Sequence, residues 1–489
     1  MSGRFARRAW ADLGGDPESL DRVVPPETPV PLPSPLAVGE LAFDSVAVAS
    51  LAANLVRADR DPGADVPPVR VDPARVAASY RSERLFRWNG RAMDAWAALS
   101  GFWETGDGWV RTHGNYPHHA ERLRGLLGLG GDAGPDEVRR ALAGWRAADL
   151  EDAAADAGAI AGAVRDAAAW RAHPQARAIA QRPLVVRRRL GDAAPRPWPR
   201  HDGLPLAGIR VLDLTRVIAG PVATRDLAFA GADVLRVDDP RLPEIDWQHL
   251  DTGQGKRSAV LDLSSPSGRA TLEELLGRAD VVVTGYRPGA LDRYGLAPEA
   301  LAERHPGVVV GQVSAWDTVG PWRERRGFDS IVQAVIGIAV AESRDGRTPG
   351  ALPAQALDHS AGHLLAAAIM MSLRRRHAEG GGHAVSVALA RVGQELLATP
   401  AASHADARGG AVPPQPDPQP GTEPTPQPDT RADTEPPTVT GRGPAGEITC
   451  AAPALAFHGA PATYAWLGRP WSADPPRWAG SDHNPATTP

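Results

Sequence analysis

The chain has 489 residues, 43% of them hydrophobic, with a formal net charge of −5 and a single cysteine. That length and apolar content predict two or three domains with real cores, and the mild negative charge argues against nucleic acid as a bulk partner. Cys450 alone excludes an internal disulfide framework or a cysteine-based zinc site, which fits a reducing cytoplasm.

The first 35 residues are proline-rich and read as an irregular N-terminal segment. Their opening, MSGRFARRAW, is basic, but no apolar h-region follows, so no secretory signal is expected. The longest apolar run, 364–371, is too short to span a bilayer. Residues 36–194 read as helical with short strands; FWETGDGWVRT (102–112) predicts two strands around a Gly-Asp-Gly turn, and 134–152 carries a helical period with Pro135 and Asp136 as its start. Residues 195–203 form a proline-rich linker.

The most informative stretch is LPLAGIRVLDL (204–214) with the loop TRVIAGP behind it. An apolar strand (209–214) runs into a Gly/Pro loop, then a helical segment (222–231), then a strand (233–237) ending in Asp238 and Asp239. Such a strand–loop–helix–strand unit belongs to doubly wound α/β sheets, which bind nucleotides at the carboxyl ends of their strands. The loop is not G-x-G-x-x-G, so the expected ligand carries a nucleotide but is not NAD. GKRS (255–258) then leads into a strand at 259–263, followed by a strand at 280–284, GYRPG (285–289), LDRYGL (291–296), a strand at 307–314, and RGFD (326–329). An extended piece ends at Asp358 and an apolar helix follows it. Residues 409–446, dominated by Pro, Asp, Thr and Gln, read as disordered linker, and 447–489 as a tail that docks on the fold.

This ordered series, from about 204 to 392, resembles the large domain of the class III CoA-transferases, the carnitine dehydratase and bile-acid-inducible F (CaiB/BaiF) type. The resemblance implies a Rossmann-like α/β large domain over 204–408, with an open parallel sheet, plus a smaller α+β domain. It also implies transfer of CoA from an acyl-CoA donor to a carboxylic acid acceptor through an aspartyl-CoA thioester. Coenzyme A and acyl-CoA enter as substrates, with no permanently bound cofactor and no metal. Asp358 falls at the family's catalytic aspartate; read from the sequence alone it is an N-cap, and the two readings are compatible because a helix N-terminus favours a charged carboxylate. Ile218 and Ala219 fall where the family's first loop lines the CoA site, Lys256 and Arg257 at a basic pair near the phosphates, Tyr286 beside the cofactor, and Arg293 at a further basic contact.

Members that exchange CoA between small acids often carry Gln at Ile218 and Tyr at Phe328. The racemase branch carries a proton-transferring His at Phe328, and phenylalanine cannot move a proton, which counts against racemisation. Racemase or isomerase chemistry and a non-catalytic CoA-binding protein remain the alternatives. The apolar replacements suggest a larger or more apolar acyl group. A weak internal repeat pairs AFDS (42–45) with ALDH (356–359), and VRVDPARV (69–76) with VSVALARV (385–392). On that reading 36–194 is a degenerate half copy that supplies the small domain, and Asp44 is a vestigial counterpart of Asp358. His113, His118 and His119 read as a loop edging the acyl pocket, and His359 as the first residue of the Asp358 helix. The family's interlocked architecture implies a homodimer.

Overall fold

The computed structural model describes residues 3–61, 63, 65–200, 203–400 and 435–480. The predicted linker over 409–434 and the end of the tail, 481–489, lie outside the described residues.

The central sheet has seven strands: β1 (Val186–Leu190), β2 (Arg210–Leu214), β3 (Asp233–Asp238), β4 (Arg257–Val260), β5 (Val281–Thr284), β6 (Val309–Ser314) and β7 (Gly382–Ala388). They lie in the order β1-β7-β6-β5-β2-β3-β4, all parallel except the edge strand β1, which is antiparallel to β7. Val281, Val282, Val283, Val309 and Val310 are fully buried, the run of branched residues expected where helices cover both faces of a parallel sheet. From β2 the chain builds outward through β3 and β4; it then returns to β5, on the other side of β2, and builds through β6 and β7 in the opposite direction. That reversal leaves a crevice at the carboxyl ends of β2 and β5, where doubly wound sheets bind ligands.

Helix Ala356–Glu379 is the axis of the core. It packs on β6 and β7, on helix Ala219–Phe229 and on helix Val38–Arg60 from the N-terminal half. It has hardly any polar stripe because it has partners nearly all round. Helix Val38–Arg60 is long and apolar enough to cross a membrane by length and composition, but 89% of its apolar window is buried inside this fold. Where the Asp358 helix meets helix Ala219–Phe229, Gly362 sets the approach: a Cβ there would lie 2.6 Å from the Ala219 carbonyl oxygen and 2.8 Å from Val222. Backbone cannot swing aside as a flexible side chain does, so Gly362→Ala is expected to cost about 2–3 kcal/mol by forcing the helices apart. Chemical denaturation checks this; unchanged stability would mean that the contact is loose.

The smaller unit holds an antiparallel sheet of strands Gly101–Glu104, Trp109–Thr112 and Ala161–Ala163. Its own core is built on Leu99, Trp103, Val110, Leu123, Leu142 and Leu150. The first two strands are those read from FWETGDGWVRT. The helix read over 134–152 starts at Pro135 as expected but is two helices, Pro135–Leu142 and Ala147–Ala157. The proposed repeat has matching elements. Helix Val38–Arg60, an extended piece through Val69 and helix Pro73–Tyr80 parallel helix Ala356–Glu379, β7 and helix Leu389–Ala398.

Three sequence expectations change. The first segment is not irregular throughout: Arg4–Asp12 is a helix whose Phe5, Ala9, Trp10 and neighbouring Leu13 are buried at helical spacing. The strand placed at 259–263 is Arg257–Val260, two residues earlier. The last residues read as linker are ordered: Thr438–Gly443 pairs with Gly446–Ala451, which pairs in turn with Arg87–Trp88. The tail beyond docks at the amino ends of the sheet strands. Gly255 N–H donates to Trp466 O at 3.0 Å, and Trp478 Nε1 to Leu275 O at 3.0 Å.

Candidate active site

A cleft of about 660 Å³ opens at the carboxyl ends of β2, β3, β5 and β6. Arg216, Val217, Ala219 and Gly220 enter it from the loop after β2; Asp238 and Asp239 from the end of β3; Tyr286 and Arg287 after β5; Trp316, Arg326 and Phe328 after β6. Asp358 lies on its wall, and the smaller unit closes it with Tyr116, His118, His119 and Arg122. Both halves of one chain therefore build the cleft.

Asp358 is not the N-cap expected from the sequence. Its helix starts at Ala356 after Gln355, so Asp358 is the third helical residue, and His359 is the fourth rather than the first. The helix start is capped from outside: Asp358 N–H, a first-turn group with no intrahelical acceptor, donates to Asp329 Oδ2 at 2.9 Å. Asp329 is itself held by Gln333 Nε2 at 2.6 Å, and Gln333 Oε1 accepts from Leu352 N–H at 2.9 Å. Burial, with Asp329 and Glu83 alongside, holds the Asp358 carboxyl well above the usual carboxylate range. Burial likewise pushes Asp329 up to about 7, against its hydrogen bonds from Asp358 N–H and Gln333. Behind the aspartate, His359 is fully buried, stacked on Tyr80 at 5.0 Å, with Nε2 3.9 Å from Glu83 Oε2.

The other sequence-derived positions divide. Ala219, Tyr286 and Arg293 line the cleft. Ile218 is buried just behind the lining as the residue before helix Ala219–Phe229. Lys256 and Arg257 are corrections. Lys256 is 2% exposed, and its Nζ donates to Pro221 O at 2.8 Å and lies 3.2 Å from Asp213 Oδ2 beneath the first loop. Arg257 opens β4 at the amino end of the sheet, where it holds Asp233 at 2.7 Å and donates to Arg477 O at 2.6 Å. Neither reaches the cleft. The cations that do include Arg216, Arg287 and Arg326, none of them singled out in the sequence. Their signal was present: each sits in a loop directly after a sheet strand or in the RGFD turn.

Asp44 does not line this cleft; it accepts from Ala6 N–H at 2.9 Å and caps the N-terminal helix. Phe328 stacks on His113 with ring centroids 3.7 Å apart, and Tyr116 and His119 flank the same ring. Burial keeps His113 well below the usual histidine range, so this wall of the pocket is neutral and aromatic.

Residues 206–429 match the family model described as CoA-transferase family III. A "probable fatty acyl-CoA transferase", Rv3272, of Mycobacterium tuberculosis is 31% identical over 229 residues, which cover 44% of this chain and 58% of that protein. An acyl-CoA transferase of Gibberella moniliformis is 32% identical over 309 residues, covering 58% and 54%. A crystal structure of a CaiB/BaiF family protein from Brucella suis shares 30% identity, with a TM-score of 0.37 and coverage of 40% and 56%. The chain spans about half the length of the curated relatives it matches.

Proposed function

We propose that this chain, whose residues 206–429 match the model of CoA-transferase family III, moves CoA from an acyl-CoA to a carboxylic acid with Asp358 as nucleophile. The observation that carries the reading is the position of Asp358. It is a buried carboxyl on the wall of a nucleotide-sized cleft whose loops bring in arginines. Arginine suits the phosphates of CoA because its planar fork donates two parallel hydrogen bonds to phosphate oxygens.

The steps balance as follows. A carboxylate oxygen of Asp358 attacks the thioester carbonyl; the C–S bond breaks, leaving an aspartyl–acyl anhydride and CoA thiolate. The thiolate attacks the aspartyl carbonyl, forms an aspartyl-CoA thioester and releases the donor acid as its carboxylate. The acceptor carboxylate attacks that thioester and regenerates thiolate with a second anhydride. The thiolate then attacks the new acyl carbonyl and frees Asp358. No net proton moves, so the site needs a charged nucleophile and donors for the oxyanions rather than an acid–base pair. Ala219 and Gly220, whose first-turn N–H groups have no intrahelical acceptor, line the cleft where such donors are needed.

Phe328, Tyr116, Trp316 and Leu389 make the Asp358 end of the cleft aromatic and apolar. That favours a larger or more apolar acyl group than a short dicarboxylate, whose second charge would have to turn from these rings to the loop arginines, such as Arg216 5.0 Å over the Tyr116 ring. A transfer assay with medium-chain acyl-CoA donors against succinyl-CoA tests this. Higher kcat/KM for succinyl-CoA would contradict the apolar-acyl reading.

The nucleophile is the deprotonated form, so activity should rise with pH through a pKa well above the ordinary value of about 4. A plateau already reached at about pH 5 would mean that bound substrate abolishes the shift or that another group attacks.

A further inference from the structure

The first loop contains a residue in a costly conformation. Val217 has φ +70°, the left-handed region that a β-branched side chain rarely enters. Strain of this kind persists only where surrounding contacts over-determine it. Those contacts converge on Glu244, from the segment PRLPEID after β3, which no sequence motif marked. Its carboxylate is buried outside the cleft lining. It accepts from Val217 N–H at 3.1 Å and Ile245 N–H at 3.2 Å, and from Arg236 at 3.1 Å and Arg216 at 3.4 Å. It also accepts the hydroxyl of Tyr116 from the smaller unit.

The geometry points to Glu244 as the positioning residue of this site. It clamps the Val217 loop that lines the CoA cleft and latches the smaller unit over it through Tyr116. The inference rests on the CoA-binding reading above. Arg216, Val217 and Tyr116 line the cleft, whereas Glu244 does not and therefore acts through them. Its charge is secured: burial opposes ionisation, but Arg236 and Arg216 prevail and hold the carboxyl down at about 2. One carboxylate thus fixes the strained turn, orients Arg216 toward the cleft rim and ties the two units of the chain together. A neutral residue could accept the Val217 N–H but could not also supply the charge that pairs with Arg216 at the cleft and with Arg236, whose other carboxylate partner is Asp238.

The test uses the full chain, with calorimetric titration of CoA and the transfer assay as separate readouts. Glu244→Gln is expected to weaken CoA binding at least tenfold and to lower kcat by about a hundredfold, the scale of loss when a site slips by about an ångström. Adding Val217→Gly should recover much of the CoA affinity, because glycine adopts φ +70° without a clamp. A purely structural Glu244 would lower stability and gain nothing from that second change. Tyr116→Phe, which keeps the guanidiniums paired, covers the case in which Glu244→Gln does not fold. It should lower kcat with little change in melting temperature. Wild-type CoA affinity and kcat in Glu244→Gln, failure of Val217→Gly to restore binding, or, where Glu244→Gln does not fold, a wild-type kcat in Tyr116→Phe would each overturn the proposal. A wild-type protein that binds CoA but transfers nothing would fail the transferase reading alone, and the binding arms would still decide the role of Glu244.

Discussion

Asp358→Asn is expected to abolish CoA transfer, lowering kcat by at least 10⁴-fold, and to leave a protein more stable than the wild type at alkaline pH. Both effects have one cause. Asparagine keeps the shape of the side chain but has no carboxylate to attack a thioester. The wild-type carboxyl is held well above its ordinary range by burial, Asp329 and Glu83, so the folded state prefers the neutral form. A group with a raised folded pKa contributes stability that is complete below its unfolded pKa, near 4, and is lost as pH rises through the folded value. Asparagine stays neutral throughout. The variant's advantage should therefore grow with rising pH and vanish toward about pH 4. Thermal melts across that range, run beside the transfer assay, check both halves. Such a trade of stability for activity is expected where a fold keeps a buried group for its chemistry. Equal melting temperatures at every pH would mean that water or a neighbour relieves the Asp358 carboxyl in solution.

Lys256→Met should destabilise the fold by about 3–5 kcal/mol while leaving CoA affinity near that of the wild type. A phosphate ligand would behave in the opposite way. Lys256 lies beneath the first loop, pulled down to about 8 by burial against the attraction of Asp213. Asp213 also accepts from Thr215 N–H at 3.0 Å and from the hydroxyls of Thr215 and Thr224, each at 2.5 Å. Methionine fills much the same volume but leaves this buried carboxylate without its cation, and an uncompensated buried charge accounts for most of the expected loss. Urea denaturation and calorimetric titration of CoA separate the two roles. Unchanged stability with CoA binding weakened tenfold or more would restore Lys256 to the phosphate site.

These two residues mark how far the sequence could be read. The sheet was legible because its strands are short runs of branched residues bounded by glycine, proline and acidic residues, and their order gave the crevice. The resemblance of the ordered series singled out Asp358, which lies on the cleft wall, although its position in the helix was missed by three residues. Lys256 and Arg257 were not legible, because one-dimensional position does not say which end of a strand a residue occupies. Both precede or open β4 and so sit away from its carboxyl end. Arg287 and Arg326 lay in segments already noted, but a lone arginine resembles any solvated charge until the loops converge. Glu244 was invisible: of its partners only Arg236 is near in sequence, whereas Val217 and Tyr116 lie 27 and 128 residues away and meet it only in three dimensions. The helix at Arg4–Asp12 was hidden by the proline-rich stretch that follows it.

The most direct test of the central claim is mass spectrometry of the Asp358 peptide after brief incubation with acyl-CoA and rapid quenching. The account predicts a CoA adduct on that peptide in the wild type, chased by a carboxylic acid acceptor and absent from Asp358→Asn. Transfer of CoA by a wild-type protein whose Asp358 peptide stays unmodified, or an adduct that persists in the variant, would contradict it.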